Sequence, residues 1–333
     1  MPGDWHFHIL LHVIPRIPTF TSIRKPKFRP GFECTLRRRG QVAALLIFFS
    51  CFLAAPAVAR DAATAQRDDF SRAWQAASRG ERALFEQLKP GLEDYLLYPY
   101  LQYEDLRYRV SRVDDAEMAA FLEQHGDWAF TAGLKTVWLR ALGSRGRWDA
   151  LLKYAPGSKD TRVQCHLARA RIERGQTEGL TAVARSLWTV GKSQPDACDP
   201  VFHWLKAQGG ITSGLAWERI KRAMEARQPR LTLYLKRYLD EPDRVWADRW
   251  YQQDRAGYRQ LKQAGNWPES GQRRDITNYG LRRLARNDSD RAWEAFQSLD
   301  GQVGWPAEVR GGILREIALW SAVEGADGTV ERM

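Results

Sequence analysis

The stretch WAFTAGLKTVWLRALGSRGRWDALLKY, running from Trp128 to Tyr154, decides the architecture. Trp128–Leu142 carries apolar residues at the i, i+3, i+4 and i+7 positions of an amphipathic helix, and Trp148–Tyr154 does the same. Between them, Gly143-Ser144-Arg145-Gly146 breaks the period. The spacing therefore predicts a helical hairpin. Working outward, the unit recurs. Thr161–Arg174 and Glu178–Val190 turn at Gly175-Gln176, and Ala216–Ala226 and Arg230–Leu239 are split by Gln228-Pro229. Phe70–Leu88 reads as one helix, with Phe70, Trp74, Ala77, Phe85 and Leu88 on its apolar face. Asp115–His125, Arg244–Ala256, Arg273–Arg286, Asp290–Leu299 and Ala307–Val323 read as further helices. No sustained alternation of β-branched residues marks a strand. A hairpin cannot bury its apolar stripe alone, so consecutive hairpins must stack into an α-solenoid.

The first 59 residues carry a different signal. Arg37-Arg38-Arg39 precedes the apolar run Val42–Leu53, and Pro56-Ala57-Val58-Ala59 follows with small residues at −3 and −1 of a cut between Ala59 and Arg60. This is the order of a Sec-type secretory signal over residues 37–59. The run is short against the roughly 20 residues of a membrane span, so a membrane association is expected only if the signal stays uncleaved. Residues 1–36 contain prolines at 2, 15, 18, 26 and 30 and no helical period. No Met lies between Met1 and Met118, and the simplest reading is a disordered upstream extension, with translation beginning near Leu36. Residues 1–59 hold eight Lys/Arg and two Asp/Glu, and their removal takes the net charge from +11 to +5. That is modest for a nucleic-acid binder, and none is expected as a partner, but it suits contact with an anionic polymer.

Export leaves Cys165 and Cys198 as the two remaining thiols, which favours one disulfide between an early helix of a hairpin and the loop after its partner. Zinc and free thiols are the alternatives. Cys165, His166, Cys198 and His203 lack C-x2-C or H-x3-H spacing, and no metal or other cofactor is expected. Gly191-Lys192-Ser193 imitates the end of a P-loop, but position 186 is Ser and the segment follows a helix instead of opening one. Glu93-Asp94 and Glu104-Asp105 flank Tyr95–Tyr103, an arrangement that brings glycosidase carboxylates to mind. Neighbours in sequence diverge on a helix, so the plain reading is a helix starting at Pro99 with its aromatics packed on the next hairpin. The 14 Trp, including Trp138, Trp246 and Trp250 at helical spacing, read as core more than as sugar platforms.

Gly146-Arg147-Trp148-Asp149-Ala150-Leu151 and Arg291-Ala292-Trp293-Glu294-Ala295-Phe296 share a Trp-x-Ala element, similar to the second-helix start of tetratricopeptide-like hairpins, without a strict period. A more specific likeness lies in four stretches: Asp94-Tyr95-Leu96-Leu97-Tyr98-Pro99-Tyr100-Leu101-Gln102-Tyr103; Trp148–Leu152 with Pro156; Gln164-Cys165; and Leu187-Trp188-Thr189-Val190-Gly191-Lys192-Ser193-Gln194-Pro195-Asp196-Ala197-Cys198-Asp199. Together, over roughly residues 66–240, they resemble the N-terminal region of soluble lytic murein transglycosylases. The resemblance implies an all-α, U-shaped or ring-forming superhelix that is not itself catalytic. It implies a periplasmic family that cleaves the N-acetylmuramic acid to N-acetylglucosamine bond and forms a 1,6-anhydro product, with one Glu as acid and then base in a separate C-terminal domain. Glu269-Ser270 is the chain's one Glu-Ser pair, and its context, Asn266-Trp267-Pro268 before and Gly271-Gln272 after, departs from the family's helical motif. It reads as a turn, and no catalytic residue is carried over.

The resulting expectation is an exported superhelix over 60–323 with a disordered tail over 324–333. It reads as the non-catalytic portion of a lytic transglycosylase, from a truncated or split reading frame. Its partners would be peptidoglycan glycan strands and its own missing catalytic domain. The competing reading is a stand-alone periplasmic scaffold.

Overall fold

The computed structural model describes residues 55–325, with side chains from 62 onward. The expected extension (1–36), most of the expected signal (37–59) and most of the expected tail fall outside the described residues, while the backbone at the expected cut between Ala59 and Arg60 lies within the first helix.

Sixteen α-helices and no strand occur among the described residues. α1 (Ala55–Arg79), α2 (Arg82–Leu88), α3 (Tyr98–Tyr108) and α4 (Asp115–His125) come first. α5 (Thr131–Ser144), α6 (Trp148–Tyr154), α7 (Thr161–Glu173) and α8 (Leu180–Trp188) follow. Then come α9 (Asp199–Ala207), α10 (Ser213–Glu225), α11 (Pro229–Leu235) and α12 (Glu241–Ala256). α13 (Tyr258–Ala264), α14 (Gly271–Ala285), α15 (Ser289–Leu299) and α16 (Ala307–Glu324) complete the order. Short 3-10 turns occupy Lys89–Leu92, Asp196–Cys198 and Lys236–Tyr238.

From α4 onward most helices pack on their successor and several on the one after: α5 touches α6 and α7, α7 touches α8 and α9, and α14 touches α12, α13, α15 and α16. This nearest-neighbour pattern is what stacked hairpins produce. The apolar stripes explain it. In α8, Leu180, Ala184, Leu187 and Trp188 are buried while Ser186 is exposed. Polar side chains start the helices: Asp114, Asp160, Thr212, Ser270 and Asp288 each accept backbone N–H groups of the first turn.

The core is divided in three. A small cluster gathers Ala73, Phe85, Leu92 and Leu101 from α1–α3; a second runs from Leu106 to Ala170; the largest runs from Cys165 to Ile317. Helix α7 serves two of them, giving Val163 and Ala170 to the second and Cys165 and Ala168 to the third.

Several expected boundaries move. Phe70–Leu88 is two helices, because Gly80 adopts φ +74° and ends α1. That left-handed conformation costs glycine little. α5 runs through Gly143-Ser144, so the turn is confined to Arg145-Gly146-Arg147. α8 is shorter than Glu178–Val190 at both ends, whereas α12 begins at Glu241, three residues before expectation. Helices α9 and α13 were not anticipated: one follows immediately on the Asp196–Cys198 turn, and the other is only 7 residues long. Glu324 is helical and accepts the backbone N–H of Ser289 at 3.1 Å, so the helix extends one residue past Val323.

Candidate binding groove

The structure separates the carboxylates that flank the tyrosine run. Glu104 is bound by Arg107, while Asp105 accepts from Arg82 and Arg109, both at 2.8 Å. Glu93 and Asp94 are exposed outside any helix. Helix α3 begins at Tyr98, with Pro99 in its first turn, as the sequence suggested. Glu269 lies outside the helices and binds Arg273 and Arg274, and Ser270 caps α14 by accepting the N–H of Arg273 at 3.0 Å. That is the expected turn.

Among the described residues, the carboxyls displaced from their ordinary range are Asp160, Asp300 and Glu316, and all three are held low. A hydrogen bond from Arg140 lowers Asp160, and one from Arg310 lowers Asp300. For Glu316, burial pushes up, but hydrogen bonds from Arg286 and Trp320 outweigh it. A general acid at neutral pH needs the opposite displacement.

Cys165 and Cys198 are bonded, with Cα atoms 4.8 Å apart, and both are fully buried. The bridge ties α7 to the turn that follows α8. Among the described residues no group of three or more His, Cys, Asp and Glu is placed to hold a metal. His166 lies in the core against Gly143, and His203 is exposed. Trp138, Trp246 and Trp250 are buried, as read. No helix among the described residues is long and apolar enough to cross a membrane.

The loop Gly191–Pro195 instead borders a groove of about 660 Å³ between α8, α9, α10 and α11. A Cβ at Gly191 would lie 2.2 Å from the carbonyl oxygen of Arg222, so only glycine lets the loop reach this close to α10. The approach brings the Lys192 carbonyl to 3.5 Å from Nη2 of Arg219. Trp188, Tyr238 and Tyr234 form an aromatic run, with centroids 5.6 and 6.2 Å apart. Cations sit over it: Arg219 at 4.6 Å from Trp188, Arg237 at 4.2 Å from Tyr234 and Lys206 at 5.8 Å from Tyr238. Arg230 adds a further charge, and Asp199 is the one carboxylate in the lining.

Sequence reasoning missed this groove. Its trace was the basic and aromatic interleaving of Arg230-Leu231-Thr232-Leu233-Tyr234-Leu235-Lys236-Arg237-Tyr238. Arg219 gave no warning, because it follows the apolar spacing of Ala216, Ile220 and Ala223 that buries its helix face.

Fold and groove together define a helical-hairpin superhelix with a cationic, aromatic-lined recess. No family model matches the chain. Curated relatives do. The chain is 33% identical over 178 residues to the soluble lytic murein transglycosylase of Escherichia coli K12, and 32% over 167 residues to that of Salmonella typhimurium. These matches take in 53% and 50% of this chain but only 28% and 26% of the relatives' length. An inactive mutant of lytic transglycosylase Slt from Pseudomonas aeruginosa superposes with a TM-score of 0.70 at 30% identity, over 79% of this chain and 43% of that one. The 70-kDa Escherichia coli enzyme, at 24% identity and a TM-score of 0.68, shares the fold over 81% of this chain and 44% of its own. It has also been solved in complex with bulgecin A. The chain is thus a homologue of soluble lytic murein transglycosylases through its superhelical part, and it spans under half the length of each relative.

Proposed function

We propose that this chain is the non-catalytic superhelical portion of an exported, periplasmic lytic murein transglycosylase, and that this portion holds peptidoglycan glycan strands. The observation that carries the reading is the match to lytic transglycosylases across half of the chain, in a sequence that also holds the Tyr95–Tyr103 and Gly191–Asp199 motifs. The cationic aromatic groove beside the second motif supports a role in gripping an anionic, sugar-rich polymer. Export through residues 37–59, with cleavage between Ala59 and Arg60, belongs to the same reading and accounts for a disulfide in the folded protein.

Incubation of the purified chain with murein sacculi tests this. Sedimentation with sacculi is expected, weakening as salt is raised, and no anhydromuropeptide is expected in the supernatant. Turnover that vanishes on Glu269→Gln would overturn the non-catalytic reading. Failure to sediment at low salt would remove the binding role.

A further inference from the structure

We propose that the recess around Arg219 is a carboxylate-binding subsite, which takes the free carboxylate of a murein peptide stem or of a muramyl lactyl group. The inference deepens the reading above and rests on it for the substrate class. Its physical basis is independent of that reading.

Arg219 is only 4% exposed. Among the described residues, every other strongly buried Arg, Asp or Glu has a counter-charge: Glu104 has Arg107, Asp105 has Arg82 and Arg109, and Arg273 has Glu269. No carboxylate among the described residues lies within salt-bridge reach of Arg219. Its Nε has no hydrogen-bond partner, and its Nη2 has only the Lys192 carbonyl at the long limit of 3.5 Å. Burial accordingly drives its pKa down. The stack on Trp188 compensates in part, but a ring face cannot replace a hydrogen-bond acceptor. A guanidinium removed from water without its acceptors is destabilising, and it persists where something else binds it.

That partner must be an anion. The recess presents Lys206, Arg230 and Arg237 besides Arg219, against Asp199 alone. A planar guanidinium presents a fork that fits a carboxylate with two parallel hydrogen bonds. Murein offers carboxylates on its peptide stems and on the lactyl arm of its muramyl sugars. The Trp188, Tyr238 and Tyr234 wall would then lie beside the apolar side chain or sugar ring that carries the acid.

The test uses Arg219→Met in the whole chain, with isothermal titration of three probes: a disaccharide-tetrapeptide, the free tetrapeptide, and a glycan oligomer stripped of peptide but retaining its lactyl acids. The tetrapeptide amidated at every carboxyl serves as control. Binding of at least one acid-bearing probe is expected to weaken about 10- to 100-fold in Arg219→Met, the loss of a charge-assisted hydrogen-bond pair. The amidated control should bind no better than the variant does. The midpoint of thermal unfolding should stay equal or rise, since a partnerless buried charge has been replaced by an apolar side chain. Peptide binding without stripped-glycan binding identifies the stem as the source, and the reverse identifies the lactyl acid. Equal binding by wild type and Arg219→Met, or by acid and amide, overturns the subsite. If Arg219→Met unfolds the chain, the pair Arg230→Gln and Arg237→Gln at the rim reads the same loss, and unchanged affinity there overturns it. Sacculi that sediment equally with wild type and Arg219→Met would sink the subsite and leave the superhelix role standing. Sacculi that sediment with neither would sink both.

Discussion

At the residue scale, the structure tolerates buried polar groups only under particular conditions, and His166 shows one of them. It is 5% exposed, neither ring nitrogen has a partner, and its ring covers Gly143 where a Cβ would stand 2.2 Å away. Burial first, and then the positive charges of Arg162 and Arg169, lower its pKa against the opposing pull of Asp160. The unfolded chain therefore takes up a proton near pH 6.5, where the folded chain refuses it. The stabilisation is complete above that pH and is lost as pH falls towards the depressed folded value. The free energy of unfolding should decline by up to about 1.4 kcal/mol per pH unit on this account. Denaturant titrations at pH 7.5 and 5.5 check it, with His166→Leu as comparison. The variant should lose this part of the slope, and an identical slope in both proteins would count against the assignment. Asp160 is the complementary case. It caps α7 by accepting the N–H of Val163 at 3.1 Å and binds Arg140 across the hairpin. Asp160→Ala should lower stability by roughly 1–2 kcal/mol in the same titrations, the range of a lost cap, and a change below a few tenths would refute its capping role.

At the scale of elements, turns and crosslinks set how helices meet. The Cys165–Cys198 bridge closes a loop with a sequence separation of 33 and fastens α7 to the turn that leads into α9. Chain-entropy reasoning gives about 3 to 4 kcal/mol for such a loop. Urea unfolding of the chain in which both cysteines are alanine should show a loss of that order. An unchanged midpoint would mean that the bridge constrains nothing that unfolding releases. Both sulfurs are fully buried, so reduction under native conditions is expected only through local opening. The neighbouring Gly191 works sterically. The carbonyl of Arg222 occupies the space a side chain would need, and any substitution there must lift the loop from α10 and draw the Lys192 carbonyl away from Arg219.

At the scale of the whole molecule, the core is a chain of three clusters, and stability should vary along it. Helices α1–α3 share a small cluster, whereas α14 is packed by α12, α13, α15 and α16 within the largest one. Stacked repeats open in parts because each unit is held mainly by its neighbours. Native-state hydrogen exchange should therefore show amides of α2 and α3 protected at least about tenfold less than those in the middle of α14. Uniform protection from α2 to α14 would contradict a segmented core.

What the sequence by itself determined was local. The 3.6-residue period placed thirteen of the sixteen helices described, some with shifted ends and two of them fused, and Pro99 marked a further one, because the pattern that buries a stripe lies within one turn or two of chain. The paired cysteines and the capping turn at Glu269-Ser270 were equally legible, since each needs only neighbouring residues or the absence of other thiols. The break at Gly80, the shared helix α7 and the short helices α9 and α13 depended on which neighbour each stripe met. The groove depended on it most. Trp188, Lys192, Arg219, Tyr234 and Tyr238 come from α8, the loop after it, α10, α11 and the turn that follows, and nothing in the spacing of one segment tells where the next will lie. Arg219 occupies an apolar face by period alone, and only the tertiary packing turns that position into a buried charge without a counter-charge, because the meeting of separate helices decides both what is desolvated and what is within reach.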